Sequence, residues 1–486
     1  TAALAMQLAQ RHAGSIVIDG GKDDELHAAR DWRQYDGWVD LSGCASVAPA
    51  TLAWITPLQQ WIEARRQEHG VVLCVTQGLE RFRQAQVNLA GAPRVGLYRM
   101  LQSEYGRLVS RHVDLEEGAS EAELLEQVCA ELETDDLESA VCYRGAQRYR
   151  ALLRGEALAP EAKRAPLPRF DAQQVLLVTG GTRGIGMLCA QHAVRQYGVR
   201  RLVLSGRDVF PAPAQWAAHQ DANGPLAAKM RSIEQLRAQG VEVEVVALAL
   251  SDEAAVQACL ADVRTRLGPI AGVIHAAGLG ESDTPVFARK SLAAVARVLE
   301  PKVAGLDVLL ACLAQDAPRF CVLFSSVSAL LPALAAGQSD YAMANAYMDY
   351  VAEAQQAGFA LQSIQWPSWK ETGFGEIGSA AYARSGLLSH TDAEGLALLD
   401  HVLRGGQDSV VLPAMVNPQG WQPHALLQHQ RAAAPVPASV GTDPARVTAA
   451  VAAPLLEQVQ AWLIVLLAET LKMDAALIDA DNTFLE

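Results

Sequence analysis

The segment TGGTRGIG, Thr179 to Gly186, sets Gly180, Gly181, Gly184 and Gly186 between an apolar strand pattern and the start of a helix pattern. Glycines permit a tight turn and let a phosphate approach the backbone, where a helix N-terminus favours an anion. Thr179, Thr182, Arg183 and Ile185 complete this loop, which reads as a dinucleotide site. The next strand pattern, RLVLSGR (201–207), closes on Ser205, Gly206 and Arg207. A fold built for NAD usually has a carboxylate there to hold the ribose hydroxyls. A guanidinium instead takes a phosphate in bidentate fashion, and a carboxylate would repel it. Arg207, with Arg183 in the glycine turn, therefore points to NADPH rather than NADH.

Repeated strand and helix patterns must position that loop. VLLV (175–178), RLVLSGR (201–207), VEVEVVALAL (241–250), GVIHAAG (272–278), RFCVLFSS (319–326) and LQSIQW (361–366) are apolar strands separated by helical stretches. SVVLPAMV (409–416) reads as the last strand. A βα repeat of this kind gives a doubly wound parallel sheet. Residues 1–165 also alternate: SIVID (15–19), VVLCVTQG (71–78) and SAVCYRG (139–145) are strands and LLEQVCAEL (124–132) a helix, with no glycine-rich phosphate loop. The expectation is an α/β chain of two Rossmann-like subdomains, a reduced structural one over 1–165 and a catalytic one over 166–430, joined at PLPRFD (166–171). An Ala- and Pro-rich linker over 431–454 leads to an apolar helix from Leu455 within 455–486.

Composition excludes several classes of function. The formal charge of −14 argues against nucleic acid, which needs a basic surface. The eight cysteines are scattered, without CxxC pairs or Cys/His spacing for zinc, so no metal is expected and a reducing cytoplasm fits. Trp462 to Ala468 is too short an apolar run to cross a bilayer, and the opening TAALAMQLAQRHAG has no signal-peptide pattern. The missing initiator Met and the end at DNTFLE read as a piece of a longer polypeptide.

PKVAGLDVLL (301–310), VLFSSVSA (322–329) and GQSDYAMANAYMDY (337–350), with TGGTRGIG and GVIHAAG, resemble the ketoreductases of modular polyketide synthases, those of trans-acyltransferase systems included. These are a branch of the short-chain dehydrogenase/reductases. Simple members carry Tyr-x-x-x-Lys, whereas this chain has Tyr341-Ala-Met-Ala-Asn345 with its lysine upstream at Lys302, an exchange that marks the ketoreductase branch. GAPRVGLYRMLQSEYGRLVSRHVDLE (91–116) resembles the structural subdomain of that family, and 455–486 the truncated start of an acyl carrier protein.

The resemblance implies an enzyme that reduces a β-ketoacyl thioester on the phosphopantetheine of an acyl carrier protein, alongside other domains of the same synthase. It implies Tyr341 as proton donor and cofactor contact, Ser326 as the hydrogen-bond donor to the ketone oxygen, Lys302 as the charge beside the phenol and a ribose ligand, and Asn345 as organiser of the lysine or of a proton-relay water. A phenol of pKa near ~10 is a sluggish acid unless an ammonium supports its anion. Ala276, Ala277, Gly278 and Pro367 would border the cofactor, and Gln338 and Trp369 the substrate. The family usually has an adenine-contacting Asp where this chain has Ala249, next to Leu250, and the stretch between Ser326 and Tyr341 is about two residues longer than usual. Those two departures motivate the rival reading, a redox-silent structural domain. Leu279-Gly280-Glu281-Ser282 lacks the Leu-Asp-Asp of one stereochemical type, and with Gln338 it leans to the A-type, which yields an L-configured hydroxyl.

Overall fold

The computed structural model describes residues 1–18, 31–45, 51–155, 165–212, 214–216, 224–280, 286–373, 377–404 and 408–429. The expected linker and carrier-like helix lie outside the described residues.

Two sheets carry the chain. The first contains β1 (Gly37–Gly43), β2 (Gly70–Gln77), β3 (Leu108–Leu115), β4 (Ala140–Arg144) and β5 (Gln147–Arg150), in that spatial order. All its pairings are parallel except the final β4–β5 hairpin. The second contains β6 (Val175–Thr179), β7 (Arg201–Gly206), β8 (Glu242–Ala247), β9 (Ile270–His275), β10 (Cys321–Ser326) and β11 (Leu361–Trp366). After β12 (Leu387–Leu388), the edge strand β13 (Val410–Val411) completes it, and β14 (Met415–Val416) pairs antiparallel with β12 outside it. The order β13-β11-β10-β9-β6-β7-β8 puts the reversal of strand order between β6 and β9. In open α/β sheets ligands bind at that point, beyond the carboxyl ends of the strands. β6 and β9 are buried along their whole length, as a strand covered on both faces must be.

Two expectations need correction. Residues 15–18 form no strand; the first strand among the described residues is Gly37–Gly43, most of which is only half-buried and so lacks a strong apolar signal. SVVLPAMV is not one strand, because Pro413 falls between β13 and β14, where a ladder donor is lost.

The two halves share a core. The helix Ala92–Glu104 lies against the helix Ser339–Ala354, and the buried apolar residues of both belong to one core. A Cβ on Gly96 would lie 2.3 Å from the carbonyl oxygen of Ala342, so only glycine permits this approach. Arg99 donates to the Tyr350 hydroxyl at 2.6 Å across the same seam. The end of the described chain returns to the first half, where the His429 amide donates to the Leu137 carbonyl at 2.8 Å.

Candidate active site

The turn after β6 builds the floor of the site. Gly180 and Gly184 adopt φ of +68° and +55°, which side chains disfavour. A Cβ on Gly186 would stand 2.4 Å from the Gly180 carbonyl oxygen, and one on Gly180 2.7 Å from that of Ala276. The loop is thus folded tightly on itself and against the end of β9, leaving its outer face to a ligand backbone. Gly181 donates its amide to the Ser205 carbonyl at 3.1 Å, and the Thr179 hydroxyl meets His275 Nδ1 at 2.8 Å. Burial and the Lys302 charge push that histidine down to about 3, so it is neutral and holds the ends of β6 and β9 together.

A cleft of about 1980 Å³ runs over this floor. Gly180, Thr182, Arg183, Gly184, Ile185 and Gly186 line it, as do Ser205, Gly206 and Arg207. Ala249, Leu250, Ala276, Ala277, Gly278 and Pro367 border it too, together with Lys302, Ser326, Gln338, Tyr341 and Trp369. Thr179, Gly181 and Asn345 stand behind its wall as supports. Trp369 is only 1% exposed, packed edge-on to Trp366 at 5.0 Å and against Gly395, so most of its ring belongs to the core. The longer stretch after Ser326 forms a three-ten turn, Val327–Ala329, and the short helix Pro332–Ala335, and Ala333 and Leu334 form part of the cleft wall.

Four polar side chains converge at one end. Lys302 Nζ donates to the Asn345 side-chain oxygen at 2.6 Å and to the Phe324 carbonyl at 2.9 Å. Asn345 Nδ2 donates to the Tyr341 carbonyl at 2.8 Å, one helical turn back. Lys302 Nζ lies 5.1 Å from the centre of the Tyr341 ring. Burial raises the Tyr341 phenol above its ordinary value, and hydrogen bonds with Asn345 and Ser326 draw it back. Ser326 ends β10, where its hydroxyl accepts the Ser328 amide at 3.2 Å. Ser325 points the other way, into the helix, donating to the Asn345 carbonyl at 3.3 Å.

Burial pushes the Lys302 ammonium down to about 7, and the charge of Asp349 opposes that fall. Asp349 was not among the expected site residues. It is buried one turn beyond Asn345, accepting from Ser363 at 2.6 Å and Gln365 at 2.7 Å. Tyr341, Asn345 and Asp349 recur every four residues, and that spacing was the available signal. At the other end of the cleft, Lys229 pairs with Asp208 beside Arg183 and Arg207.

The fold and cleft define a class: a Rossmann-type reductase unit of the short-chain dehydrogenase/reductase kind, joined to a smaller partner that lacks the glycine loop. Residues 174–371 match the family model described as the KR domain. The chain carries a ketoreductase domain of the polyketide synthase kind, a family that uses a nicotinamide cofactor. It is 43% identical over its whole length to the polyketide synthase PksL of Bacillus subtilis, of which it spans 11%. It is 32% identical to 6-methylsalicylic acid synthase of Aspergillus terreus over 65% of this chain and 17% of that one. Among solved structures, A-type ketoreductases from a modular polyketide synthase match with 25% identity and a TM-score of 0.63, covering 79% of this chain and 78% of that one. A C2-type ketoreductase matches with 24% identity and a TM-score of 0.64 over 86% and 90%, a likeness of fold. Among the described residues no helix is long and apolar enough to cross a membrane, and no His/Cys/Asp/Glu group could hold a metal.

Proposed function

We propose that this chain reduces a β-ketoacyl thioester, carried on the phosphopantetheine of an acyl carrier protein, to the β-hydroxyacyl thioester with NADPH, as one domain of a larger synthase. The observation that carries this reading is the convergence of Lys302, Ser326, Tyr341 and Asn345 at the end of a cleft whose floor is a glycine turn.

A nicotinamide held in this cleft would supply the hydride. Tyr341 delivers the phenol proton to the ketone oxygen, and Ser326 donates a hydrogen bond to the same atom as negative charge develops there. Lys302, held by Asn345 and the Phe324 carbonyl, faces the phenolate that remains. Arg183, Ser205 and Arg207 line the cleft where they would hold the ribose phosphate that distinguishes NADPH. Ala249 and Leu250 would take the adenine by packing, and Ala276, Ala277, Gly278 and Pro367 would border the nicotinamide end. Gln338, at the N-cap of the catalytic helix, and Trp369 border the substrate. Gln338, with no Leu-Asp-Asp after His275, supports the A-type course and an L-configured hydroxyl.

The purified chain is expected to consume NADPH with a β-ketoacyl thioester surrogate, the product hydroxyl being read by chiral chromatography. NADPH should also raise its melting temperature. A chain that shows neither NADPH consumption nor a thermal shift is the redox-silent domain instead.

A further inference from the structure

Lys290 and Asp340 form an ion pair at 3.0 Å, with side chains 0% and 3% exposed, that the reaction itself does not use. Removing two charges from water costs more than their attraction returns unless further hydrogen bonds serve them, so net stabilisation alone does not account for such a pair. The same Asp340 oxygen, Oδ1, accepts the backbone amide of Tyr341 at 3.0 Å. Its other oxygen has no partner among the described residues. The pair therefore fastens the first turn of the helix that carries the tyrosine.

Lys290 is itself held from the structural half. Gln59 Nε2 donates to the carbonyls of Phe287 and Lys290 at 2.7 and 2.8 Å. Glu104 accepts the Phe287 amide at 2.6 Å, and the Tyr105 hydroxyl accepts the Ala288 amide at 3.0 Å. The second oxygen of Glu104 accepts the Gly337 amide at 3.3 Å, next to Gln338. Three side chains of the half without a cofactor loop thus hold the segment Phe287–Lys290, which pairs with Asp340, and Gly337, four residues before Tyr341.

We propose that Lys290 and Asp340 are positioning residues that transmit the placement of the structural half, through Gln59, Glu104 and Tyr105, to the proton-donating tyrosine. This rests on Tyr341 as the proton donor. A misplacement of about 1 Å can cost a reaction on the order of 100-fold, so a modest shift of the helix start is enough to matter.

The test is the double variant Lys290→Met/Asp340→Asn. It removes both charges together, so neither is left buried alone, and keeps an amide oxygen for the Tyr341 N–H. Its kcat is expected to fall on the order of 10-fold or more, with the NADPH Kd within about 2-fold of the parent and faster amide exchange over 337–345. Gln59→Ala, at the far end of the relay, should lower kcat in the same direction and spare NADPH binding. Parental kcat and parental exchange in both variants would overturn the proposal. So would a double variant that loses NADPH binding along with kcat, because the pair would then support the whole fold rather than the tyrosine. Faster exchange over 337–345 in a protein whose parent reduces no ketone would leave the relay standing and remove the reductase reading.

Discussion

Lys302 and Asn345 stand 43 residues apart in sequence, yet the lysine ammonium donates to the asparagine side-chain oxygen at 2.6 Å. Because Asn345 spends its amide nitrogen on the Tyr341 carbonyl, its oxygen can face only the lysine. Lys302 thus brings its charge beside the phenol from outside the helix that carries Tyr341 and Asn345.

A pH dependence follows from this arrangement. Burial lowers Lys302 from its ordinary range to about 7 and raises Tyr341, so as pH rises through about 7 the lysine loses charge while the tyrosine keeps its proton. An ammonium that supports the developing phenolate is present below that value and lost above it. The kcat for ketone reduction should therefore fall as pH rises through this window. In Asp349→Asn the charge that holds Lys302 up is gone, and the falling limb should move to lower pH. A profile of kcat against pH for both proteins checks the direction.

Arg207→Ala should discriminate between cofactors. A charge-assisted hydrogen bond contributes about 1.5–3 kcal/mol, so the NADPH Kd is expected to rise roughly 10-fold or more. The NADH Kd should change little, since NADH has no phosphate at that position. Fluorescence titration with each cofactor reads the difference.

The seam between the halves gives a stability prediction. In Gly96→Ala the new methyl group would meet the Ala342 carbonyl at 2.3 Å, and backbone cannot turn aside as a side chain can. Overpacking of this kind costs about 1–3 kcal/mol, and the residue it displaces adjoins Tyr341. Chemical denaturation should report the loss of stability, and kcat should fall with it.

The sequence made the catalytic half largely legible because its central strands are buried on both faces and appear as plain apolar runs. Val175–Thr179 and Ile270–His275 are examples. Gly37–Gly43 escaped because an edge strand at partial burial mixes Trp38 and Val39 with Asp40 and Ser42. The pair Tyr341 and Asn345 was readable from local spacing, since one helical turn separates them. Lys290, Asp340, Gln59 and Glu104 were not, because their meaning lies in contacts between segments as far apart as 233 residues. Gln338 and Trp369 illustrate the opposite case: both face the cleft, but the tryptophan is largely a core residue whose burial no local pattern distinguishes from a groove wall.

The central claim is that the phenol of Tyr341 supplies the proton, and Tyr341→Phe tests it most directly. The substitution removes the hydroxyl and leaves the ring to fill its place against the core. Turnover of a β-ketoacyl thioester with NADPH should fall by roughly 100-fold or more, the usual scale of general-acid catalysis. NADPH binding should survive, because the glycine turn and Arg207 are untouched. A Tyr341→Phe protein that binds NADPH and reduces the ketone at a near-parental rate would contradict the account.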